Sequence, residues 1–137
     1  MSTIQKSLRI PEETIKEIEY LARASKKDFT TVANELIEEA IRVHRCPGIV
    51  FTEGVSGKRA RIAGTGIEVW EVVATYRSVG EDFERLSKSY HWLTVQQLKS
   101  ALGYYRVYTA EIDAIIADNE ALTPEEIRKR YPFLAAG

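Results

Sequence analysis

Gln5, Ser7 and Arg9 stand two residues apart, and Ile4, Leu8 and Ile10 occupy the alternate positions. In an extended strand successive side chains point to opposite faces. Residues 3–10 therefore predict a strand with one apolar face and one face of hydrogen-bonding groups. Lys6 falls on the apolar parity, where its stem can pack only if the ammonium snorkels outward. A strand of about eight residues is not stable alone in water, because its backbone groups need a partner strand. No second strand of matching character follows within the next forty or so residues, so the simplest partner is the same segment of a second copy. A two-stranded antiparallel ribbon of that kind fits the major groove of DNA.

Other groupings of reactive residues are weaker. His44 and Cys46 are two apart, but His91 is the only other histidine and Cys46 the only cysteine, so a zinc site is not expected. Gly64-Thr65-Gly66 lacks the third spaced glycine or the following lysine of a phosphate loop; its glycines fit a tight lead into a helix. Glu111, Asp113, Asp118 and Glu120 recur at helical spacing opposite Ile112, Ile115 and Ile116, which reads as a solvent face rather than a metal-dependent nuclease. With no activated nucleophile either, no catalytic residue, cofactor or metal is expected.

Two amphipathic helices follow the strand. The first is predicted over 11–25, with Pro11 at the first helical position, Glu12 and Glu13 at the positive end of the dipole, and Ile15, Ile18, Leu21 and Ala22 as the buried stripe. Lys26, Lys27 and Asp28 make the turn. Thr30 and Thr31 precede the stripe Val32, Leu36, Ile37, Ala40 and Ile41, with Thr31 the expected cap. Backbone N–H groups at such a helix start can hold a phosphate, and Lys26 and Lys27 lie close by in sequence. Pro47-Gly48 marks a junction, giving units over 1–46 and 47–137.

The second unit opens with a predicted hairpin: an apolar run at 49–51, turn residues over 52–57 and a returning strand over 58–62. A helical pattern runs through Val69, Trp70, Val72, Val73 and Tyr76 and ends at Gly80. A short helix spans 82–90. Thr94 caps a third, with Val95, Leu98, Leu102 and Tyr105 inward. Thr109 is expected to cap a fourth, and Thr123 a last one with Pro124 in first position. Tyr104, Tyr105, Tyr108 and Trp92 form an expected aromatic cluster, suited to packing or to a protein interface. If the third helix instead reads DNA, Gln96, Gln97, Lys99 and Ser100 are the groups that could face it.

The charge balance argues against a bulk electrostatic DNA binder. The 137 residues carry a net charge of −1. Residues 1–45 are net zero, 46–66 are net +2 through Lys58, Arg59 and Arg61 against Glu53, and 67–137 are net −3. Any positive surface on the first unit must come from segregation of charge. Residues 1–10 do not resemble a signal peptide, since polar and charged side chains interrupt the apolar run. No apolar stretch approaches bilayer length. With a single cysteine, these features fit a cytoplasmic protein without a membrane partner.

Strand, Pro-Glu-Glu, helix, turn and threonine-led helix together resemble the ribbon-helix-helix family of dimeric bacterial repressors and antitoxins. The resemblance implies that Gln5, Ser7 and Arg9 read base edges; arginine suits guanine, glutamine suits adenine and serine bonds either. It further implies that Thr30 and Thr31 clamp the DNA backbone, with Lys6, Lys26 and Lys27 as added phosphate contacts. Gly64-Thr65, Val69, Tyr90, Leu93-Thr94, Leu98, Ala101-Leu102 and Tyr104 resemble a second family, the four-three-three domain of unknown function. Its members are small helical modules with a helix-turn-helix-like core. That family reads Gly-Thr-Arg at the glycine turn, where this chain has Gly66.

The pairing of the two resembles a VapB-type antitoxin, which implies a homodimer or a tetramer of paired dimers, operator DNA and a PIN-like ribonuclease toxin as partners. In that setting a basic segment can occlude the toxin's metal-binding carboxylates, and Arg128, Lys129 and Arg130 beside Tyr131 and Phe133 are the candidates. The expected fold is mainly α: an intermolecular ribbon with two helices, then a small hairpin and a helix-turn-helix-like bundle. The alternative is a protein-interaction module that uses the ribbon only to dimerise.

Overall fold

The computed structural model describes residues 2–54, 57–122, 124–130 and 132. The chain is mainly α-helical and divides into two compact units, Met1–His44 and Arg45–Gly137.

In the first unit α1 spans Glu12–Ser25 and α2 spans Phe29–Arg45. Pro11 is the N-cap of α1 rather than its first helical residue; its ψ of 144° is still extended. The helix closes on Lys26 in the left-handed region, φ 58°. The Lys27 N–H reaches back to the Ala22 carbonyl at 3.0 Å, the six-to-one bond of a Schellman turn. Residues 2–11 adopt no helix or strand. The expected strand is thus absent from the single chain, and the cause is chemical: a strand exists through ladder hydrogen bonds, and no other segment of this unit offers one.

Among the described residues of this unit Ile18, Ala22 and Val32 are buried, with Phe29, Ala33 and Leu36 packed against them. Ile15 and Ile18 are the better covered part of the α1 stripe, whereas Leu21 is exposed.

The second unit begins with an antiparallel hairpin, β1 Ile49–Gly54 and β2 Gly57–Ile62, in the register Ile49↔Ile62, Val50↔Arg61, Phe51↔Ala60 and Thr52↔Arg59. Residues read as turn at 52–54 and 57 are therefore paired strand. The alternation works as a sorting device. Ile49, Ala60 and Ile62 turn inward and are buried, while Val50, Thr52, Arg59 and Arg61 take the opposite face.

Five helices follow: α3 Val69–Ser78, α4 Phe83–Ser89, α5 Val95–Val107, α6 Thr109–Glu120 and α7 Pro124–Arg130. Gly64-Thr65-Gly66 makes the tight lead into α3. Gly64 takes φ 78°, a conformation favouring glycine. Thr65 Oγ1 donates to the Ile62 carbonyl at 2.9 Å and accepts the Ile67 N–H at 3.0 Å. Gly66 has no such backbone need, and a Cβ there would meet nothing within 4 Å. The glycine at the family's arginine position is thus not forced by space.

Thr94 caps α5 as predicted, in a reciprocal box: Gln97 N–H to Thr94 Oγ1 at 3.1 Å, and Thr94 N–H to Gln97 Oε1 at 2.8 Å. Asp82 caps α4 through the Arg85 N–H at 3.2 Å. Thr109 is not a cap. It is the first residue of α6, and its hydroxyl donates back to the Tyr105 carbonyl at 2.7 Å. Thr123 lies outside the described residues.

The core gathers Ile49, Ile62, Val69, Val72, Leu86, Leu98, Ala101, Tyr104, Ile112 and Ile116, all at 5 % exposure or below, with Cys46 at 6 %. The α5 stripe is shifted from the predicted one. Val95 is exposed and Tyr105 half-buried, while Ala101 and Tyr104 are fully buried. Tyr104 is fully buried with its hydroxyl satisfied, donating to Glu111 Oε2 on α6.

Candidate nucleic-acid interface

Gln5, Lys6, Ser7 and Arg9 are all exposed, but so are Ile4 at 84 % and Leu8 at 69 %. Apart from half-buried Ile10, the face predicted to turn inward is as open in the single chain as the face predicted to turn outward. Nothing within one copy segregates the two parities.

The same holds for the helices that follow. Tyr20, Leu21, Ile37, Ile41 and Val43 are exposed as well, so seven large apolar side chains of this unit are open against three that are buried. Scattered exposed leucines are ordinary, but in this unit the open large apolar side chains outnumber the buried ones.

The α1–α2 turn brings Lys26, Lys27, Thr30 and Thr31 together by sequence and turn geometry. The cap of α2 differs from the one predicted. Asp28, not Thr31, caps α2: its Oδ1 accepts the Thr31 N–H at 2.7 Å. Thr30 and Thr31 lie within the first turn and are exposed. Aspartate outranks threonine as a cap, and Asp28 immediately before Phe29 was the signal that could have found it. The bond from the Thr31 backbone, then that from its side chain, holds the Asp28 carboxyl below the usual carboxylate range. A carboxylate therefore sits where a phosphate oxygen would otherwise meet that N–H. Lys27 Nζ is also engaged, 3.0 and 3.1 Å from the two oxygens of Glu35. Both side chains are well exposed, so the pair is weak and exchangeable with solvent.

In the second unit, the four residues that would serve a reading helix are not equally free. Gln97 is committed to the cap of α5, and Ser100 is half-buried, its Oγ 3.1 Å from where a Cβ on Gly48 would stand. Gln96 and Lys99 remain exposed. The aromatic groups divide in two. Tyr104 packs on Tyr108 and Phe51 in the core, whereas Trp92, at 59 % exposure, meets Tyr90 and His91 edge-on. The predicted single cluster is therefore two.

The acidic side chains of α6 also divide. Asp118 and Glu120 are exposed, but Glu111 accepts from Tyr104, and Asp113 accepts from Tyr105 at 2.7 Å and from Arg77. The Tyr105 hydroxyl and then the Arg77 guanidinium hold the Asp113 carboxyl below its usual range. These bonds tie α3, α5 and α6 together. Among the described residues no three His, Cys, Asp or Glu side chains are gathered as a metal site requires, and no helix is long and apolar enough to cross a membrane.

One buried donor is unmatched. Arg61 Nε is shielded from solvent and finds no acceptor among the described residues. Glu68, whose backbone forms a bridge with Arg61, accepts through Oε2 from Trp70 Nε1–H at 2.9 Å. The sequence marked Arg61 only as part of a basic stretch.

Of the tail candidates, Arg128 and Lys129 are exposed on α7. The Arg130 side chain, Tyr131 and Phe133 lie outside what is described.

Residues 49–105 match the model of the protein family of unknown function DUF433. A crystal structure of a DUF433 member protein from Anabaena variabilis ATCC 29413 is 31 % identical, with 79 % of this chain and 99 % of that one covered and a TM-score of 0.45. No curated protein matches the chain.

Proposed function

The chain belongs to the DUF433 family through residues 49–105, and from that premise we propose that it is a dimeric DNA-binding repressor of its own operon and the antitoxin of a PIN-like ribonuclease. The first unit is the DNA reader. The observation that carries this reading is the exposure of Ile4, Leu8, Ile37 and Ile41 on a unit with three buried side chains. A second copy covers that apolar surface by pairing residues 3–10 into an antiparallel ribbon. Covering one parity of each strand leaves the other, Gln5, Ser7 and Arg9, to meet base edges. Association then supplies burial that the monomer lacks. The α2 starts flank the ribbon with Thr30, Thr31, Lys26 and Lys27 for the phosphates, and Lys6 adds a further cation. The C-terminal segment with Arg128, Lys129 and Arg130, continuing to Tyr131 and Phe133, holds the toxin by facing its carboxylates.

The test is operator binding by the full chain to the DNA upstream of its own coding region. Arg9→Ala should cost about 1–3 kcal/mol and relax the preference at one base position, if Arg9 reads a guanine. Unchanged affinity and preference would favour the second reading, a dimerising interaction module without sequence-specific DNA binding. Two observations speak for that second reading: the Asp28 carboxylate and the Lys27–Glu35 pair reduce the free positive character of the α2 start.

A further inference from the structure

We propose that the outer face of α5 docks an acidic, amphipathic helix of a partner protein, with Trp92 as its anchor and Lys99 and Arg106 as the cations that select it. Val95, Lys99 and Arg106 follow at steps of four and seven residues, so they share one side of the helix. The other side is the core side, where Leu98, Ala101 and Tyr104 are buried. Val95 is 50 % exposed, and Val107, next to Arg106, is 49 % exposed. Trp92 stands two residues before the Thr94 cap and is 59 % exposed, in edge-on contact with Tyr90 and His91. Gly103 lies between Lys99 and Arg106, and a Cβ there would meet nothing within 4 Å. A glycine inside a helix costs stability, and here space does not require one. Its bare backbone leaves a saddle in which a partner side chain can seat.

The charge of this face has one sign. Residues 85–110 carry Arg85, Lys88, Lys99 and Arg106 and no aspartate or glutamate, within a half whose net charge is −3. The nearest carboxylate before that run, Glu84, belongs to the first turn of α4. The two α6 carboxylates that touch α5, Glu111 and Asp113, meet Tyr104 and Tyr105 and not the side that carries Lys99. Among the described residues neither the Lys99 nor the Arg106 side chain is hydrogen-bonded or ion-paired. An unpaired cationic face selects an anionic partner, and the apolar groups decide which one. The phosphates of a nucleic acid offer no apolar surface to cover Trp92, Val95 and Val107. A protein interface does: its centre is apolar, its rim charged, and tryptophan and arginine dominate its affinity. The thirteen residues of α5 span about 20 Å, enough for three or four turns of a second helix. Laid along α5, that helix sets its apolar stripe on Trp92, Val95 and Val107 and its carboxylates on Lys99 and Arg106. The contact belongs to the second unit and does not depend on the ribbon.

The experiment uses the full chain and a labelled synthetic peptide of leucine, alanine and glutamate, with leucine at helical spacing. A twin peptide with lysine in place of glutamate is the control. By fluorescence anisotropy the glutamate peptide should bind at least about tenfold more tightly than its lysine twin, and less tightly as salt is added. Trp92→Ala should weaken binding about 30-fold, as loss of an interface anchor does, and leave the melting temperature nearly unchanged. Lys99→Glu/Arg106→Glu should reverse the preference between the two peptides. Gly103→Gln should raise the melting temperature and still weaken binding, a pair of effects that a merely structural glycine would not give. Equal binding of both peptides, or binding that all three variants leave unchanged, would overturn the proposal. So would self-association that Trp92→Ala abolishes without any peptide binding, which would assign the face to a second copy. Binding of single-stranded oligothymidylate, but of neither peptide, with loss in Trp92→Ala would overturn it in favour of nucleic acid.

Discussion

Lys27 Nζ bridges both carboxylate oxygens of Glu35, eight residues on, at 3.0 and 3.1 Å. The pair joins the α1–α2 turn to the second turn of α2, and it occupies a cation assigned above to a phosphate. Its contribution to stability is small, about 0.2–1 kcal/mol, because both ends are in solvent. Glu35→Gln should therefore leave the melting temperature nearly unchanged while tightening DNA binding. The salt slope should steepen by up to about 0.9 as Lys27 takes a phosphate. Parallel salt titrations of wild type and variant check this; identical slopes would remove Lys27 from the interface.

Lys26 provides a way to separate stability from binding. It stands at φ 58° as the C-cap of α1, a position where glycine carries no Cβ penalty. Lys26→Gly should stabilise the fold, by about 0.5–1 kcal/mol, and at the same time weaken DNA binding through loss of a charge. Chemical denaturation and a DNA titration on the same preparation read the two effects, which should have opposite signs.

Acid sensitivity follows from Asp28 and Asp113. Both carboxyls are held below their ordinary range, Asp28 by the Thr31 backbone and side chain and Asp113 by Tyr105 and then Arg77. In the unfolded chain they titrate near about 3.9. Each thus adds stability that is fully present above that value and lost as pH falls through the lower folded value. Melting temperature should fall in the acid range below about pH 4. Asp28→Asn and Asp113→Asn should each flatten that fall, while leaving the profile above pH 6 parallel to wild type.

The second unit should behave as an ordinary packed core. Leu98 is fully buried, and Leu98→Ala should cost about 2–5 kcal/mol. Thr94→Ala, which removes the cap of α5, should cost about 1 kcal/mol. Leu8→Ala should have its effect on association instead: Leu8 is 69 % exposed in one copy, so the loss should appear as a concentration-dependent melting temperature. Unfolding at several protein concentrations distinguishes the two classes.

Much of this architecture was legible in the sequence where a single local rule governs. Thr94 announced the start of α5, and the run through Ala60 and Ile62 announced a strand. Glycine chemistry at residue 64 announced the turn into α3. The sequence was less legible where two residues competed for one role. Asp28 and Thr31 both suit a cap, and aspartate is the stronger acceptor. Tyr104 and Tyr105 are adjacent on α5 and each finds a carboxylate on α6, Glu111 and Asp113, so residue type alone does not tell which is buried. Its aromatic character groups Trp92 with the tyrosines, but its neighbours in space are Tyr90 and His91. The orphaned Arg61 Nε could not be read from sequence at all, because it depends on where the Glu68 carboxylate turns.

The central claim is that residues 3–10 of one copy lie antiparallel to the same residues of another, with Ile4, Leu8 and Ile10 covered and Gln5, Ser7 and Arg9 outward. Isotope-filtered NOE spectroscopy on a mixture of labelled and unlabelled full chain tests it most directly. The account predicts intermolecular backbone contacts confined to this segment, in antiparallel register, with slowed amide exchange at alternate residues. A monomer at the working concentration, or contacts between copies that bypass residues 3–10, would contradict it.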